Sequence, residues 1–211
     1  MIETTVEGQE VELQDLTVKV SPKEDFSRSQ LEELLEVFKA GYGDDWLGDD
    51  LFWNVRLKNA TELLELRSGN QMAAAILFDN LRILQVTVHP DFQGHGLGVK
   101  LLQEAAKIHP ETWISVATDA EPMLHTVTDK ALDFIPVDDK DKIEALIGNI
   151  NGGKNSFEVD TREIEAPYLT GRLAEKGVTR ERFTAYAAKT GSTHGDQYWQ
   201  FLFQNQPNST S

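Results

Sequence analysis

The stretch from Leu81 to Pro110 reads LRILQVTVHPDFQGHGLGVKLLQEAAKIHP, and the rest of the chain is organised around it. Its first part is apolar and β-branched up to Val88, which predicts a buried strand. A glycine-rich turn and an amphipathic helical pattern follow. A helix that begins this way directs free backbone N–H groups outward, where they can bind an anion. The sequence therefore predicts an anion site formed by Gln93, Gly94, His95, Gly96, Leu97, Gly98 and Val99.

The spacing of the glycines excludes two common phosphate-binding motifs. Val99 stands where a dinucleotide-binding G-x-G-x-x-G fingerprint needs its third glycine. A G-x-x-x-x-G-K-[ST] loop counted from Gly94 would accept Lys100, but Val99 and Leu101 then occupy its glycine and hydroxyl positions. What remains is Q-x-x-G-x-G from Gln93 to Gly98, preceded by Val-His-Pro-Asp-Phe. A glycine-rich surface turn without a ligand is the alternative interpretation.

This motif resembles the acyl-CoA loop of the GNAT superfamily of N-acetyltransferases, and the resemblance extends over about residues 11–137. It implies a mixed, mostly antiparallel, twisted sheet with helices on both faces. It also implies that the loop holds the pyrophosphate of acetyl-CoA, and that backbone groups of Val86, Thr87 and Val88 face the thioester. The strand at 112–118 should lie parallel to the strand at 81–88 and splay away from it. Members of the family commonly carry a tyrosine near position 129 that protonates the departing thiolate, but Asp129 stands there in this chain.

Composition narrows the class of protein. The 211 residues suffice for one domain with a modest extension, and cysteine is absent, which removes disulfides and thiolate metal sites. Nearly all of the net charge of −15 lies in residues 1–140, which carry 26 acidic and 12 basic side chains. Such a surface repels nucleic acid and attracts cations. No apolar run is long enough to span a membrane and no secretory signal is present, so we expect a cytoplasmic protein without a resident metal.

The pattern before the central stretch predicts a strand at 11–20, a helix opened by a capping box at Ser29–Glu32, and a short helix at 51–58. Three antiparallel strands are expected at 61–67, 71–78 and 81–88, since only short turns separate them. The connector at 41–50 is unusual because it combines two aromatic residues with four carboxylates. An ammonium group of the acceptor would fit there, although helix capping and core packing are alternatives. The predicted acceptor residues are Tyr42, Asp44, Asp45 and Trp46.

Beyond residue 137 the resemblance ends. We expect residues 1–137 to form the acetyltransferase domain and residues 138–211 to form a mainly helical extension. For residues 142–150 the pattern fits a helix and a strand equally. It predicts a strand near 156–159 and helices at 166–176 and 179–189. The apolar segment Tyr198–Phe203 must be buried, either in this chain's own sheet or against a second copy in a homodimer.

Acetyl transfer to an amine needs a group that removes a proton, and the sequence offers few. Asp119 follows the strand at 112–118, where it would act directly or through water, although capping of the next helix is the alternative. His125 lies one turn into that helix and titrates in the useful range. We therefore predict an N-acetyltransferase that moves an acetyl group from acetyl-CoA to a small cationic amine. The alternatives are a non-catalytic acyl-CoA-binding module and a nucleic-acid-binding protein with a helix-turn-helix near 173–182.

Overall fold

A computed structural model describes residues 16–43, 48–148, 158–189 and 199–206. Over these ranges the chain forms a nine-stranded sheet in the order β1-β2-β3-β4-β5-β9-β8-β7, with β6 paired to β9. Only β4 and β5 pair in parallel; the other neighbours are antiparallel. The strands are β1 Leu16–Pro22, β2 Glu62–Ser68, β3 Gln71–Asp79, β4 Arg82–Val88, β5 Trp113–Ala117, β6 Phe134–Pro136, β7 Glu158–Glu165, β8 Arg182–Lys189 and β9 Gln200–Asn205.

Helices cover both faces of this sheet, as the family resemblance implied. One face, the α3 face, buries apolar residues against α3, α4 and α6. The opposite α1 face carries α1 and α2 over β2–β4, and α5 over β5, β8 and β9. The helices are α1 Arg28–Tyr42, α2 Asp49–Leu51 continued by a π-helical segment Phe52–Leu57, α3 Leu97–Ile108, α4 Glu121–Val127, α5 Lys140–Gly148 and α6 Pro167–Leu173.

Strand β3 is buried on both faces, and its alanines explain how helices approach it from both sides. Ala73, Ala74 and Ala75 have no exposed surface. Ala74 packs in the core of the α3 face and Ala75 in the core of the α1 face. Alanine is a weak strand former, but its small side chain lets α1 and α3 pack close to the centre of the sheet.

Helix α1 begins earlier than the sequence suggested. The capping box lies at Ser27 and Gln30, with the Gln30 N–H donating to Ser27 Oγ over 3.2 Å, and not at Ser29 and Glu32. The Gln30 amide also donates to the Glu65 carboxylate in the core. Ser27-x-x-Gln30 and Ser29-x-x-Glu32 both fit the capping-box pattern. The contact of Gln30 with Glu65 decides between them in favour of Ser27.

The chain after residue 137 differs most from expectation. Residues 140–148 are helical, and the predicted helix at 166–176 is present as α6 and a following 3₁₀ turn at Ala174–Lys176. The helix predicted at 179–189 is wrong, since Arg182–Lys189 forms strand β8. The proposed helix-turn-helix therefore does not exist. With β7 and β9, the region adds three strands to the same sheet, so it is less helical than predicted and the boundary at 137 does not separate two sheets.

The apolar segment near the C-terminus takes the first of its two predicted alternatives. Gln200–Asn205 forms β9, which pairs with β5 on one edge and with β8 and β6 on the other. Phe201, Leu202 and Phe203 are buried in this chain's own core. A homodimer stays a prediction, but pairing of β9 with a second copy is not available in this arrangement.

Candidate active site

Strands β4 and β5 form a V-shaped gap at the centre of the sheet. They pair only at Arg82 with Trp113 and at Ile83 with Ile114, and diverge beyond these positions. The cause is a β-bulge in β4: Ile83 lies opposite Phe78, whereas Gln85 lies opposite Leu77, so Leu84 is an extra residue. A bulge bends its strand and increases the local twist. The splay that the family resemblance implied is therefore present and has a local cause.

The gap leaves backbone groups of β4 without a strand partner. The N–H of His89 donates to Ala73 O of β3 over 2.9 Å, so alternate residues of β4 bond to β3. The N–H groups of Val86 and Val88 consequently face the open side. The Gln93 amide reaches back and donates to Val88 O over 3.2 Å. An extended ligand between the strands could therefore bond to β4 as an additional strand would.

The predicted glycine turn lies at the wide end of this gap. Gly94 and Gly96 have φ angles of 80° and 73°, a conformation in which a side chain is strained. Gly96 precedes the first turn of α3 and no side chain caps that turn, so its N–H groups are open to a ligand. A Cβ at Gly98 would lie 3.2 Å from Thr126 Cγ2, so this glycine permits the close approach of α3 to α4.

One continuous cavity of about 810 Å³ joins the gap to the glycine turn. A cavity of this volume accommodates a large organic ligand. Its wall contains most of the residues predicted to bind the cofactor, together with Tyr42 and His125. His95, although it is in the turn, is exposed and is not part of the wall. The predicted cofactor residues in the wall are Val86, Thr87, Val88, Gln93, Gly94, Gly96, Leu97, Gly98 and Val99.

The two predicted proton-transfer residues lie in different places. Asp119 is exposed in the link between β5 and α4 and is not in the cavity wall, and Ala120 rather than Asp119 occupies the N-cap of α4. His125 is in the wall, and its Nδ1 lies 3.0 Å from a guanidinium nitrogen of Arg172 in α6. Since arginine can only donate, Nδ1 is the acceptor and the ring proton belongs on Nε2. In this tautomer Nδ1 is occupied as an acceptor and Nε2 carries the proton, so His125 offers a hydrogen-bond donor and no free lone pair for a base.

The acceptor residues predicted from the connector are only partly described. Asp44, Asp45 and Trp46 lie outside the described residues. Asp49 forms an ion pair with Lys39 at 3.1 Å, and Gly48 is the N-cap of α2. Tyr42 ends α1 and borders the cavity. Burial raises the pKa of its hydroxyl, while a hydrogen bond with Gln85 and the charge of Arg56 act in the opposite direction. The Tyr42 hydroxyl is therefore protonated at neutral pH.

A second tyrosine approaches the gap from the C-terminal region, and sequence reasoning missed it. The Tyr186 hydroxyl of β8 donates to Gln200 Oε1 over 2.8 Å and shares a short hydrogen bond with the Ser115 hydroxyl in the cavity wall. Burial raises the pKa of Tyr186 as well. The signal that could have found it is the alternation of Phe183, Ala185 and Ala187, which are all buried and fit a strand.

The described ranges have neither a metal centre nor a membrane-spanning helix. Those ranges contain no group of three or more His, Cys, Asp or Glu side chains arranged to hold a metal ion. They likewise contain no helix with the length and apolarity that crossing a bilayer requires.

Comparison with known proteins gives one family. Residues 28–129 match the sequence model of the Acetyltransferase (GNAT) family. Among solved structures, the solution structure of apo-form YjaB from Escherichia coli is similar, with 14% identity and a TM-score of 0.43, and the match covers 90% of this chain and 97% of the other. No curated protein matches the chain. The range matched by the family includes α1, the bulged strand β4, the glycine turn and the splay.

Proposed function

The chain carries a GNAT acetyltransferase domain, and on this premise we propose that it is an N-acetyltransferase that transfers an acetyl group from acetyl-CoA to a primary amine. The observation that carries the proposal is the single cavity that joins the glycine turn to the splay. One end offers free N–H groups for a phosphate, and the other offers open strand backbone for an extended arm. This combination suits a long ligand with an anionic end and a reactive end between β4 and β5.

In the proposed reaction the amine nitrogen attacks the carbonyl carbon of the thioester. A C–N bond forms, the C–S bond breaks, and the thiolate leaves and takes up a proton. Backbone N–H groups on the open side of β4, those of Val86 and Val88, are suited to hold the carbonyl oxygen as its negative charge develops. Binding both reactants in one cavity supplies the proximity that direct attack requires.

Two groups are assigned to proton transfer in this proposal. Tyr42 is the donor to the thiolate, because its hydroxyl is protonated at neutral pH and borders the cavity. Asp119 is the base, acting through water, because it follows the end of β5 beside Ala117 and Ala120 in the wall. Asp119→Asn should lower kcat about 10²-fold or more. A pH–rate profile of kcat/KM with an unchanged acidic limb would remove Asp119 from this role.

The acceptor in this proposal is a small molecule with a cationic amine. The acidic balance of residues 1–140 supports this, because it attracts an ammonium group to the protein. The predicted contacts at Asp44, Asp45 and Trp46 are part of the same proposal. We also propose a cytoplasmic location, since acetyl-CoA is a metabolite of that compartment.

Calorimetric titration with acetyl-CoA tests the first half of the proposal. We expect binding in the micromolar range that is lost in Gly96→Glu, which places a carboxylate and a strained backbone in the anion site. Gly69→Glu is the matched control, because Gly69 has a φ of 56° in the turn between β2 and β3, away from the cavity. Absence of binding to the wild type, or equal loss in both variants, would overturn the assignment of the turn.

The second candidate function is a non-catalytic acyl-CoA-binding module. Asp129, in the cavity wall at the position near which the family commonly has tyrosine, favours it. Acetyl-CoA binding without consumption of the thioester across a broad panel of amines would support this candidate over the enzyme.

A further inference from the structure

Two arginines lie close to the narrow end of the splay, and neither forms a hydrogen bond or ion pair with another described residue. Arg82 is the first residue of β4, directly before the bulge, and its guanidinium lies 5.4 Å from the centre of the Trp113 ring. Its Nε–H is buried and donates to no acceptor among the described residues. Arg56, in the π-helical segment after α2, also makes no hydrogen bond or ion pair through its side chain within the part of the chain that is described.

The surroundings of Arg82 make this unpaired charge costly. Burial lowers the pKa of Arg82, and the nearby positive charge of Arg56 lowers it further, while Tyr186 and Asp79 act in the opposite direction. Asp79 lies opposite Arg82 on β3 and its negative charge acts on Arg82, but the two side chains form no hydrogen bond or ion pair among the described contacts. A buried charge without a hydrogen-bonded partner is unfavourable. In a chain with 35 acidic residues, the lack of a partner here indicates a position reserved for an anion from outside.

The position of Arg82 assigns this anion to the acceptor. Arg82 itself is not part of the cavity wall, but Ile83 and Leu84 directly after it are, and so is Ser115 across the gap. Arg82 contacts Trp113 and therefore lies on the α1 face, whereas the glycine turn leads into α3 on the opposite face. An anion held by Arg82 is thus on the other side of the sheet from the site proposed for the pyrophosphate.

From this arrangement we infer that Arg82, with Arg56 beside it, binds a carboxylate of the amine acceptor. The inference depends on the proposed function, and it narrows the acceptor to amino-acid-like molecules that carry a carboxylate besides the reacting ammonium. A planar guanidinium donates two parallel hydrogen bonds to a carboxylate, and this geometry explains the use of arginine here. The aromatic ring of Trp113 holds the guanidinium from one side, so its donors remain available at the other edges.

The test is a comparison of amino acids with their amides as acceptors, measured by release of free CoA thiol. The probes are L-phenylalanine, L-glutamine and L-lysine, each beside its C-terminal amide, so that each pair differs at the carboxylate. For each pair that the enzyme acetylates, we expect kcat/KM to be at least about 10-fold higher for the acid than for its amide. In Arg82→Gln, kcat/KM for the acid should fall about 10- to 100-fold, and kcat/KM for the amide should be nearly unaffected. The KM for acetyl-CoA should stay unchanged.

Matched variants separate a role in binding from a role in folding. Arg182→Gln removes an arginine from exposed ion pairs with Glu163 and Glu165. It should leave kcat/KM for both the acid and the amide unchanged. Arg56→Gln should lower kcat/KM for the acid but not for the amide, and the decrease should be smaller than in Arg82→Gln. Equal use of acid and amide by the wild type, or equal loss of both in Arg82→Gln, would overturn the inference while the proposed function stands.

A binding readout covers the case in which no acceptor turns over. The probe is then N-acetyl-L-phenylalanine, titrated by calorimetry into the protein saturated with CoA, beside N-acetyl-L-phenylalaninamide. Binding of the acid alone, lost in Arg82→Gln, would uphold the carboxylate site even if the enzyme assignment failed. Absence of any preference for the acid would refute the site.

Discussion

The backbone of Gly41 lies so close to Thr87 that a Cβ built on the glycine would come within 2.1 Å of Thr87 Oγ1. Real Cβ atoms do not approach other atoms so closely, so this glycine fixes the distance between α1 and the bulged strand β4. Tyr42 is the next residue and borders the cavity. The contact therefore sets where the end of α1 stands relative to the splay.

Gly41→Ala should destabilise the protein although alanine favours helices by about 1 kcal/mol over glycine. The added methyl group must push α1 away from β4, and overpacking of a close contact costs about 1–3 kcal/mol. Chemical unfolding in urea measures the change in free energy. Adding Thr87→Ala removes the clashing oxygen and leaves the backbone oxygen of Val88 at 3.2 Å and the Cβ of residue 87 at 3.5 Å as the nearest atoms. The double variant should therefore recover stability, and purely additive effects would show that the contact is not the cause.

Arg67→Met should be strongly destabilising because it removes the closest cationic partner of the buried Glu65 carboxylate, which keeps only the Gln30 amide and Lys19, 3.6 Å away. Glu65 has no exposed surface, and Arg67 donates to it over 2.6 Å while also bonding to Glu33 at the surface of α1. Removing one partner of a buried ion pair costs about 3–5 kcal/mol. The midpoint of urea unfolding gives the change.

Two comparisons test the reason for this loss. Arg28→Met removes an exposed pair with Glu32 and should leave the midpoint of unfolding nearly unchanged, because water and salt screen this pair. Combining Arg67→Met with Glu65→Leu removes the carboxylate that has lost its closest partner and should restore part of the stability. A double variant as unstable as Arg67→Met alone would contradict the electrostatic explanation.

Tyr186→Phe should change how stability depends on pH at the alkaline end. Folding raises the pKa of Tyr186 through burial, so the folded state holds the proton more tightly than the unfolded chain does. The resulting stabilisation is complete below the pKa of an unfolded tyrosine, about 10, and is lost as the pH rises through the higher folded pKa. Unfolding free energies from about pH 8 to about pH 11 should fall less steeply in Tyr186→Phe than in the wild type. Parallel curves would be inconsistent with a raised pKa at this hydroxyl.

Ending the chain at residue 198 should prevent cooperative folding. It deletes β9, which connects β5 to β8 and buries three large apolar side chains, each contributing about 1.5–3 kcal/mol. Their sum is comparable to the total stability of a typical domain, about 5–15 kcal/mol. Ending the chain at Gln206 retains β9 and is the control. Near-ultraviolet circular dichroism and thermal melts measure the outcome, and a native-like melt of the shorter chain would show that β9 is dispensable.

Features that depend on neighbours in sequence were predictable. The strand, glycine turn and helix of residues 81–110 follow from hydrophobic period and glycine conformation, and the hairpins of β2–β4 follow from their short turns. The predicted helix at 179–189 failed for a physical reason. Ala185, Ala187 and Ala188 favour a helix by propensity, but pairing with β7 and β9 and burial of alternate residues stabilise the strand instead.

By itself, then, the sequence determined the glycine turn and the elements around it, because each is specified by residues a few positions apart. Only the tertiary structure decided the site between them. The bulge at Leu84 shows in the register of β3 against β4, and the splay follows from it. Likewise, Tyr186 meets Ser115 across 71 residues, and Arg82 meets Trp113 across a strand pair that no local pattern encodes. Such contacts depend on the pairing of strands that are distant in sequence. The free energy of that pairing comes from contacts throughout the sheet, so no local pattern specifies it.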